Sequence, residues 1–179
     1  DRSVAEVDWV LAIGGIEVLT GVEVGRDPSF EALEKKHDAV FVGVGLGPDT
    51  RLGVPGEDLA GIHGAVDYIE RLKRGKVPLT GVRHALIIGG GNTAIDCVRE
   101  LRGLGVTEVT LVYRGQEAKM PGYRHEWLAA REMGVGGLFQ AVPVAFEGNG
   151  KLERVRCARL DENKRPIPGE EAVVQADLA

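Results

Sequence analysis

Cysteine is scarce. Only Cys97 and Cys157 are present, far apart and in no C-x-x-C pattern. This chain alone therefore holds no iron–sulfur cluster and runs no dithiol cycle. The four histidines, His37, His63, His84 and His125, have no metal-ligand spacing. Basic residues are in deficit, 22 Lys and Arg against 27 Asp and Glu, which gives a net charge of −5. A nucleic-acid surface needs a basic patch to neutralise phosphates, so that function class is excluded. The small cluster Arg71, Lys73, Arg74 and Lys76 reads as the solvated end of a helix. No apolar run is long enough to span a bilayer and no signal-peptide pattern is present, so a cytoplasmic protein is the default expectation. A start methionine is missing too: Val4, Val7 and Leu11 already follow helix spacing, as in a piece of a longer polypeptide.

Glycine, by contrast, is plentiful, and its most informative cluster follows an apolar run. Ala85 to Ile88 reads as a parallel strand buried on both faces, and it enters Gly89-Gly90-Gly91-Asn92-Thr93-Ala94 directly. Gly89, Gly91 and Ala94 fill the positions of a G-x-G-x-x-G/A fingerprint. Gly89 permits the tight turn, Gly91 lets a pyrophosphate approach the backbone, and Ala94 lets helix and strand pack closely. Ala94, Val98 and Leu101 then form one apolar helical face, Gly103 and Gly105 close the helix, and Val109 to Tyr113 is a second buried strand. This is one βαβ unit, with Gly89 to Ala94 as the candidate dinucleotide contact. Asn92 and Thr93 offer backbone N–H groups to the phosphates or cap the helix. A structural glycine turn that binds nothing is the other reading of the same residues.

The end of the second strand selects the nucleotide. An acid there bonds the ribose 2′-OH of NAD, whereas an arginine accommodates the 2′-phosphate of NADP. Here Arg114 follows Tyr113 and no acid occurs before Glu117, so NADPH is favoured over NADH. A solvated strand-end arginine is the alternative. Cys97 is read as a small packing residue, the alternative being a thiol activated by the helix N-terminus.

Elsewhere, a strand is expected at Ile16 to Val24, and a short helix with Asp27 as N-cap and Pro28 as its first residue. Ala39 to Val42 reads as a buried strand ending in Gly43-Val44-Gly45-Leu46-Gly47-Pro48, where a ligand can come close; Gly45 is a candidate cofactor contact. A turn at Pro55-Gly56 precedes a helix from about 65 to 74, and the segment around 76–81 is the candidate hinge. After Met120-Pro121-Gly122 comes a helix near Arg124 to Met133. Strands at 137–146, 152–160 and 172–174 follow, the first two joined by a hairpin at Gly148-Asn149-Gly150.

Four segments together resemble one family: His37 to Gly45, Leu52-Gly-Val-Pro-Gly-Glu57, Ile87 to Cys97, and Val109 to Arg114 with Met120-Pro121. They are similar to the small (β) subunit of glutamate synthase and its relatives. Those relatives include the N-terminal half of dihydropyrimidine dehydrogenase and electron-bifurcating ferredoxin:NADP reductases. The resemblance implies an α/β fold: a Rossmann-like three-layer NAD(P)-binding domain at 82–179 with a small antiparallel β-meander. Part of an FAD-binding domain at 1–75 would precede it. It implies an oxidoreductase module that passes hydride between NADPH and FAD, with FAD bound in the full-length protein and any iron–sulfur cluster outside this chain. The implied partners are the remaining FAD-domain segments and a subunit or domain that accepts electrons. The isolated chain is expected to be inactive, or to act only as an NADP(H)-binding module. Glu126 matches a family glutamate but also suits a solvated helix N-terminus. Two departures stand out: Gly43-Val44-Gly45 where the family has Ala-Thr-Gly, and Gly115 where it often has a second arginine.

Overall fold

The computed structural model describes residues 2–45, 47, 49–75 and 79–179. Contacts divide the chain into two units, Asp1–Leu46 and Gly47–Ala179. Of the hinge segment, residues 76–78 lie outside the described residues, as do Leu46 and Pro48 of the glycine-rich stretch and Lys76 of the basic cluster.

The first unit carries helices α1 (Arg2–Ala12) and α2 (Phe30–Lys36). Two expectations fail here. Residues 16–22 and 39–45 form no strand; the local pairing is a single bridge between Glu23 and Asp27. A strand needs a neighbouring strand to satisfy its N–H and C=O groups, and these segments have none among the described residues. Their side chains are accordingly exposed, Phe41 at 94%. The cap of α2 also moves: Ser29, not Asp27, is the N-cap, because its Oγ accepts from Ala32 N–H at 3.2 Å. Pro28 lies outside the helix.

The second unit has three layers. A parallel sheet of order β1-β2-β3 forms the middle, from β1 (His84–Ile88), β2 (Glu108–Tyr113) and β3 (Gly136–Phe139). Helix α3 (Ala65–Lys73) precedes β1, α4 (Asn92–Gly103) joins β1 to β2, and α5 (Arg124–Glu132) joins β2 to β3. Strand side chains alternate between faces. Ala85, Ile87, Val109 and Leu111 pack with Tyr68, Ile95, Val98 and Trp127 of the helices. Leu86 and Val112 face the other way, onto an antiparallel meander of β4 (Ala141–Glu147), β5 (Arg154–Leu160) and β6 (Pro166–Gln175). Both faces of the parallel sheet are thus covered, one by helices and the other by β-structure.

The expected strand at 137–146 is two strands in different sheets. It breaks at Gln140, whose φ of 50° is left-handed. Its N–H donates to Gly115 O at 3.0 Å and its C=O accepts from Leu160 N–H at 2.7 Å. Two partners distant in sequence hold the corner where the chain leaves one sheet for the other. Pro143 sits at a bulge on an edge strand, where its missing N–H costs no ladder bond.

Three further points position the site. Asp49 reaches the start of α3, where its Oδ2 accepts from Val66 N–H at 3.0 Å. Beyond β6, Leu178 pairs in parallel with Ala85 beside β1, and Leu86 N–H donates to Leu178 O at 2.8 Å. In the basic cluster, Arg71 and Arg74 form i,i+4 ion pairs with Asp67 and Glu70 along α3.

Candidate dinucleotide site

Gly89, Gly90 and Gly91 link β1 to α4, and the structure gives each a different job. Gly89 has φ 141°, a conformation that side chains rarely adopt, and its N–H donates to Val112 O at 2.9 Å. A Cβ there would lie 3.2 Å from the Ala94 methyl, so small residues at 89 and 94 set the closeness of turn and helix. Gly90 is buried, and a Cβ on it would stand 2.5 Å from Tyr113 Cδ2. Gly91 is the N-cap of α4, in ordinary extended backbone, and a Cβ on it would meet nothing within 4 Å. The protein leaves open space over the one glycine whose backbone a pyrophosphate would approach.

The N-terminus of α4 is prepared for an anion. No side chain caps it and no acid lies in its first turn. The first backbone bond of the helix runs from Ile95 N–H to Gly91 O at 3.2 Å, so the N–H groups of Asn92, Thr93 and Ala94 precede it. Orphan donors and the positive end of the helix dipole coincide there.

A second loop clamps the turn. Gly122 N–H donates to Gly90 O at 3.0 Å, and a Cβ on Gly122 would lie 3.1 Å from that oxygen and 2.4 Å from Ile95 Cδ1. Next to it, Tyr123 N–H donates to Asn92 Oδ1 at 2.9 Å. The Asn92 side chain therefore does not cap its own helix; it ties the turn to the start of α5. Sequence gave no sign of this, apart from the glycine in Met120-Pro121-Gly122.

At the end of β2 the Tyr113 ring is wedged between two glycines. One edge faces Gly90, and a Cβ on Gly115 would lie 2.6 Å from Cε1. This explains the departure at position 115: a side chain there would collide with the ring. Arg114 is exposed, and its side chain has no hydrogen-bond or ion-pair partner among the described residues. Gly45 belongs to the first unit, where it is exposed with φ 71°.

Cys97 is a packing residue. It is 4% exposed, and burial, reinforced by the charges of Asp96 and Asp49, pushes its thiol up to about 11. The activated-thiol alternative fails because desolvation outweighs the pull of the helix N-terminus. Glu126 is in the first turn of α5 and faces Arg99 of α4, with Oε1 3.7 Å from Nη1.

The whole of residues 2–177 matches the family described as pyridine nucleotide-disulphide oxidoreductase. The chain belongs to that family. It is 42% identical over 182 residues to the glutamate synthase [NADPH] small chain of Halomonas elongata, with 91% of this chain and 38% of that relative covered. With the small chain from Azospirillum brasilense it shares 35% identity, over 94% of this chain and 39% of the relative. The NADPH-Fe(3+) oxidoreductase subunit beta of Geobacter sulfurreducens is 34% identical, over 94% of this chain and 27% of the relative. The chain thus spans well under half the length of these relatives. Among solved structures, FprA from Mycobacterium tuberculosis in complex with NADPH superposes with a TM-score of 0.73. That match covers 99% of this chain and 57% of FprA, and at 21% identity it shows a shared fold.

Proposed function

We propose that residues 82–179 bind NADP(H) at the Gly89–Ala94 turn, within an oxidoreductase that passes hydride between NADPH and FAD. Residues 1–75 would be part of the flavin domain, with 76–81 as the hinge. In this reading Asn92, Thr93 and Ala94 donate backbone N–H groups to the pyrophosphate. Gly89 and Gly90 shape the turn, Gly91 admits the phosphates and Arg114 holds the 2′-phosphate. Gly45 would lie against flavin. The hydride chemistry belongs to the nicotinamide and flavin; this chain supplies binding and orientation. Electrons would continue to an acceptor subunit or domain, as in a glutamate synthase serving glutamate biosynthesis.

The observation that carries this reading is the uncapped, acid-free N-terminus of α4 beneath the open space at Gly91. The names of the relatives, several of which specify NADPH, support the choice of nucleotide. For the isolated chain, binding without catalysis is the favoured form, because the first unit leaves Phe41, Val42 and Val44 exposed.

Thermal melting with NADPH, NADH and FAD tests the proposal. Saturating NADPH at a hundredfold excess over Kd should stabilise the chain by about 2.7 kcal/mol. Arg114→Ala should weaken NADPH by roughly 10- to 100-fold while leaving NADH unchanged, the range for a lost charge-assisted bond. No shift with any dinucleotide would refute the assignment; equal losses for both would refute the role of Arg114. Bound flavin and NADPH-driven dye reduction by the chain would overturn the binding-only form.

A further inference from the structure

Of the three asparagines, Asn92, Asn149 and Asn163, one precedes a glycine. Asn149-Gly150 lies at the tip between β4 and β5, where strand pairing stops at Glu147 and Arg154. Residues 148–151 are all exposed. The Asn149 side-chain amide has no hydrogen-bond partner among the described residues, and neither has the Gly150 N–H. The turn around them is pinned nonetheless. Glu153 N–H donates to Glu147 O at 3.0 Å, Leu152 N–H to Ala60 O at 2.8 Å and Ala60 N–H to Gly150 O at 3.4 Å. Gly150 has φ 75°, the left-handed conformation that keeps a glycine at this position.

An asparagine amide carbon is an electrophile within reach of the next backbone nitrogen, and closing the five-membered ring needs both groups free. A Cβ on the next residue would screen that nitrogen, and glycine has none. The other two asparagines lack these freedoms. Asn92 Oδ1 accepts from Tyr123 N–H at 2.9 Å, and the β-branched Thr93 follows it. At Asn163 the attacking nitrogen would be that of Lys164, whose N–H already donates to Asp161 O at 3.0 Å.

We propose that Asn149 is a self-modification site, at which the exposed Asn149-Gly150 turn deamidates in the folded protein. The Gly150 nitrogen bonds to Asn149 Cγ and gives its proton to water, while the Cγ–Nδ2 bond breaks and ammonia leaves. Water then opens the cyclic imide at either carbonyl and leaves aspartate or isoaspartate at position 149. Nothing is oxidised or reduced, and water is the only co-reactant. Both products add a negative charge beside Glu153, whose Oε1 accepts from Asn149 N–H at 3.4 Å. Isoaspartate also lengthens the main chain by a methylene, inside a turn whose bonds to Glu147 and Ala60 fix its two sides. Its formation releases the bridge between Lys151 and Ala60 that ties the chain before α3 to this hairpin.

Incubation of the folded chain in mildly alkaline buffer, followed by tryptic mass mapping, tests this. The three asparagines fall in separate peptides, 84–99, 132–151 and 160–164. Peptide 132–151 should gain one mass unit and resolve into two products. It should do so at least about tenfold faster than the other two, the rate ratio for roughly 1.4 kcal/mol of barrier. A synthetic peptide of residues 146–151 gives the unrestrained rate, and the folded chain should convert within about threefold of it, a barrier difference under about 1 kcal/mol. Asn149→Ser should abolish the mass change. In the isolated isoaspartate form the amides of Ala60 and Leu152 should exchange roughly tenfold faster, as for local opening, whereas Asn149→Asp, which adds the charge alone, should keep the wild-type rates. An unchanged peptide 132–151 under conditions that convert the synthetic peptide overturns the proposal, and so does earlier conversion of Asn92 or Asn163. Wild-type amide exchange in the isoaspartate form refutes the release of the bridge.

Discussion

Replacing Gly91 and Gly90 by alanine, one at a time, separates what the glycine turn does for a ligand from what it does for the fold. Gly91 has φ −85° and ψ 178°, and a Cβ there meets nothing within 4 Å. Restricting the unfolded chain favours alanine by roughly 0.4–1 kcal/mol. The N-cap preference for glycine over alanine opposes this by a similar amount. The net change in stability should lie within about 0.5 kcal/mol, or about 2 °C in a chain of this size. If a pyrophosphate sits over Gly91 as proposed, the added methyl enters its space, so NADPH affinity should fall by roughly tenfold or more, as for an overpacked contact.

Gly90→Ala should do the reverse of a silent change. Its Cβ would stand 2.5 Å and 2.7 Å from Tyr113 Cδ2 and Cε2. The ring cannot retreat, because Gly115 already borders its opposite edge and its hydroxyl is bonded to Lys119 O. Overpacking of this kind costs about 1–3 kcal/mol, or roughly 3–10 °C in Tm. In a Tyr113→Leu background the penalty should shrink, since the clash is with the ring, and the double-mutant cycle should be non-additive. Circular dichroism melts and NADPH fluorescence titration read both quantities. Wild-type NADPH affinity in Gly91→Ala would refute the turn's role in binding, and wild-type melting of Gly90→Ala would refute the wedge.

The parts legible in the sequence are those decided by neighbours along the chain. The apolar run of β1, the glycine turn and the helical face of α4 follow one another along the chain inside a single βαβ unit, and the structure places all three as expected. What escaped the sequence depends on distant partners. Gln140 looks like one more residue of an apolar strand until Gly115 and Leu160 hydrogen-bond to it from either side. Asn92 looks like a helix cap until Tyr123, 31 residues on, donates to it. Residues 39–42 have the composition of a buried strand, but composition cannot supply the neighbours that would bury them. At Ser29 the error was local: Asp27-Pro28 and Ser29 are both start signals, and the bond from Ala32 N–H to Ser29 Oγ decides between them.

Two further changes test how the second unit is held together. Arg102 on α4 donates to three carbonyls, from Nε to Met133 O at 2.7 Å and from Nη1 to Val106 O at 2.9 Å and Thr107 O at 2.8 Å. Arg102→Met should cost roughly 2–4 kcal/mol in urea unfolding, and Arg102→Lys should recover only part, since an ammonium lacks the planar fork that spans two sites. Asp177 closes the other side of β1, with Oδ2 accepting from Arg83 N–H and His84 N–H, both at 2.9 Å, and lying 3.2 Å from His84 Nδ1. Partial burial alone would raise its pKa, but these donors outweigh it and hold the carboxyl below its ordinary value. Because the folded-state value is the depressed one, the stabilisation is fully present above the unfolded pKa of about 4. It is then lost as pH falls through the lower, folded value, where the native state must take up a proton. Asp177→Asn should therefore melt below wild type at pH 7, with the two Tm values converging as pH drops from about 5 toward 3. Parallel melting curves across that range would show that Asp177 contributes by packing and not by its charge.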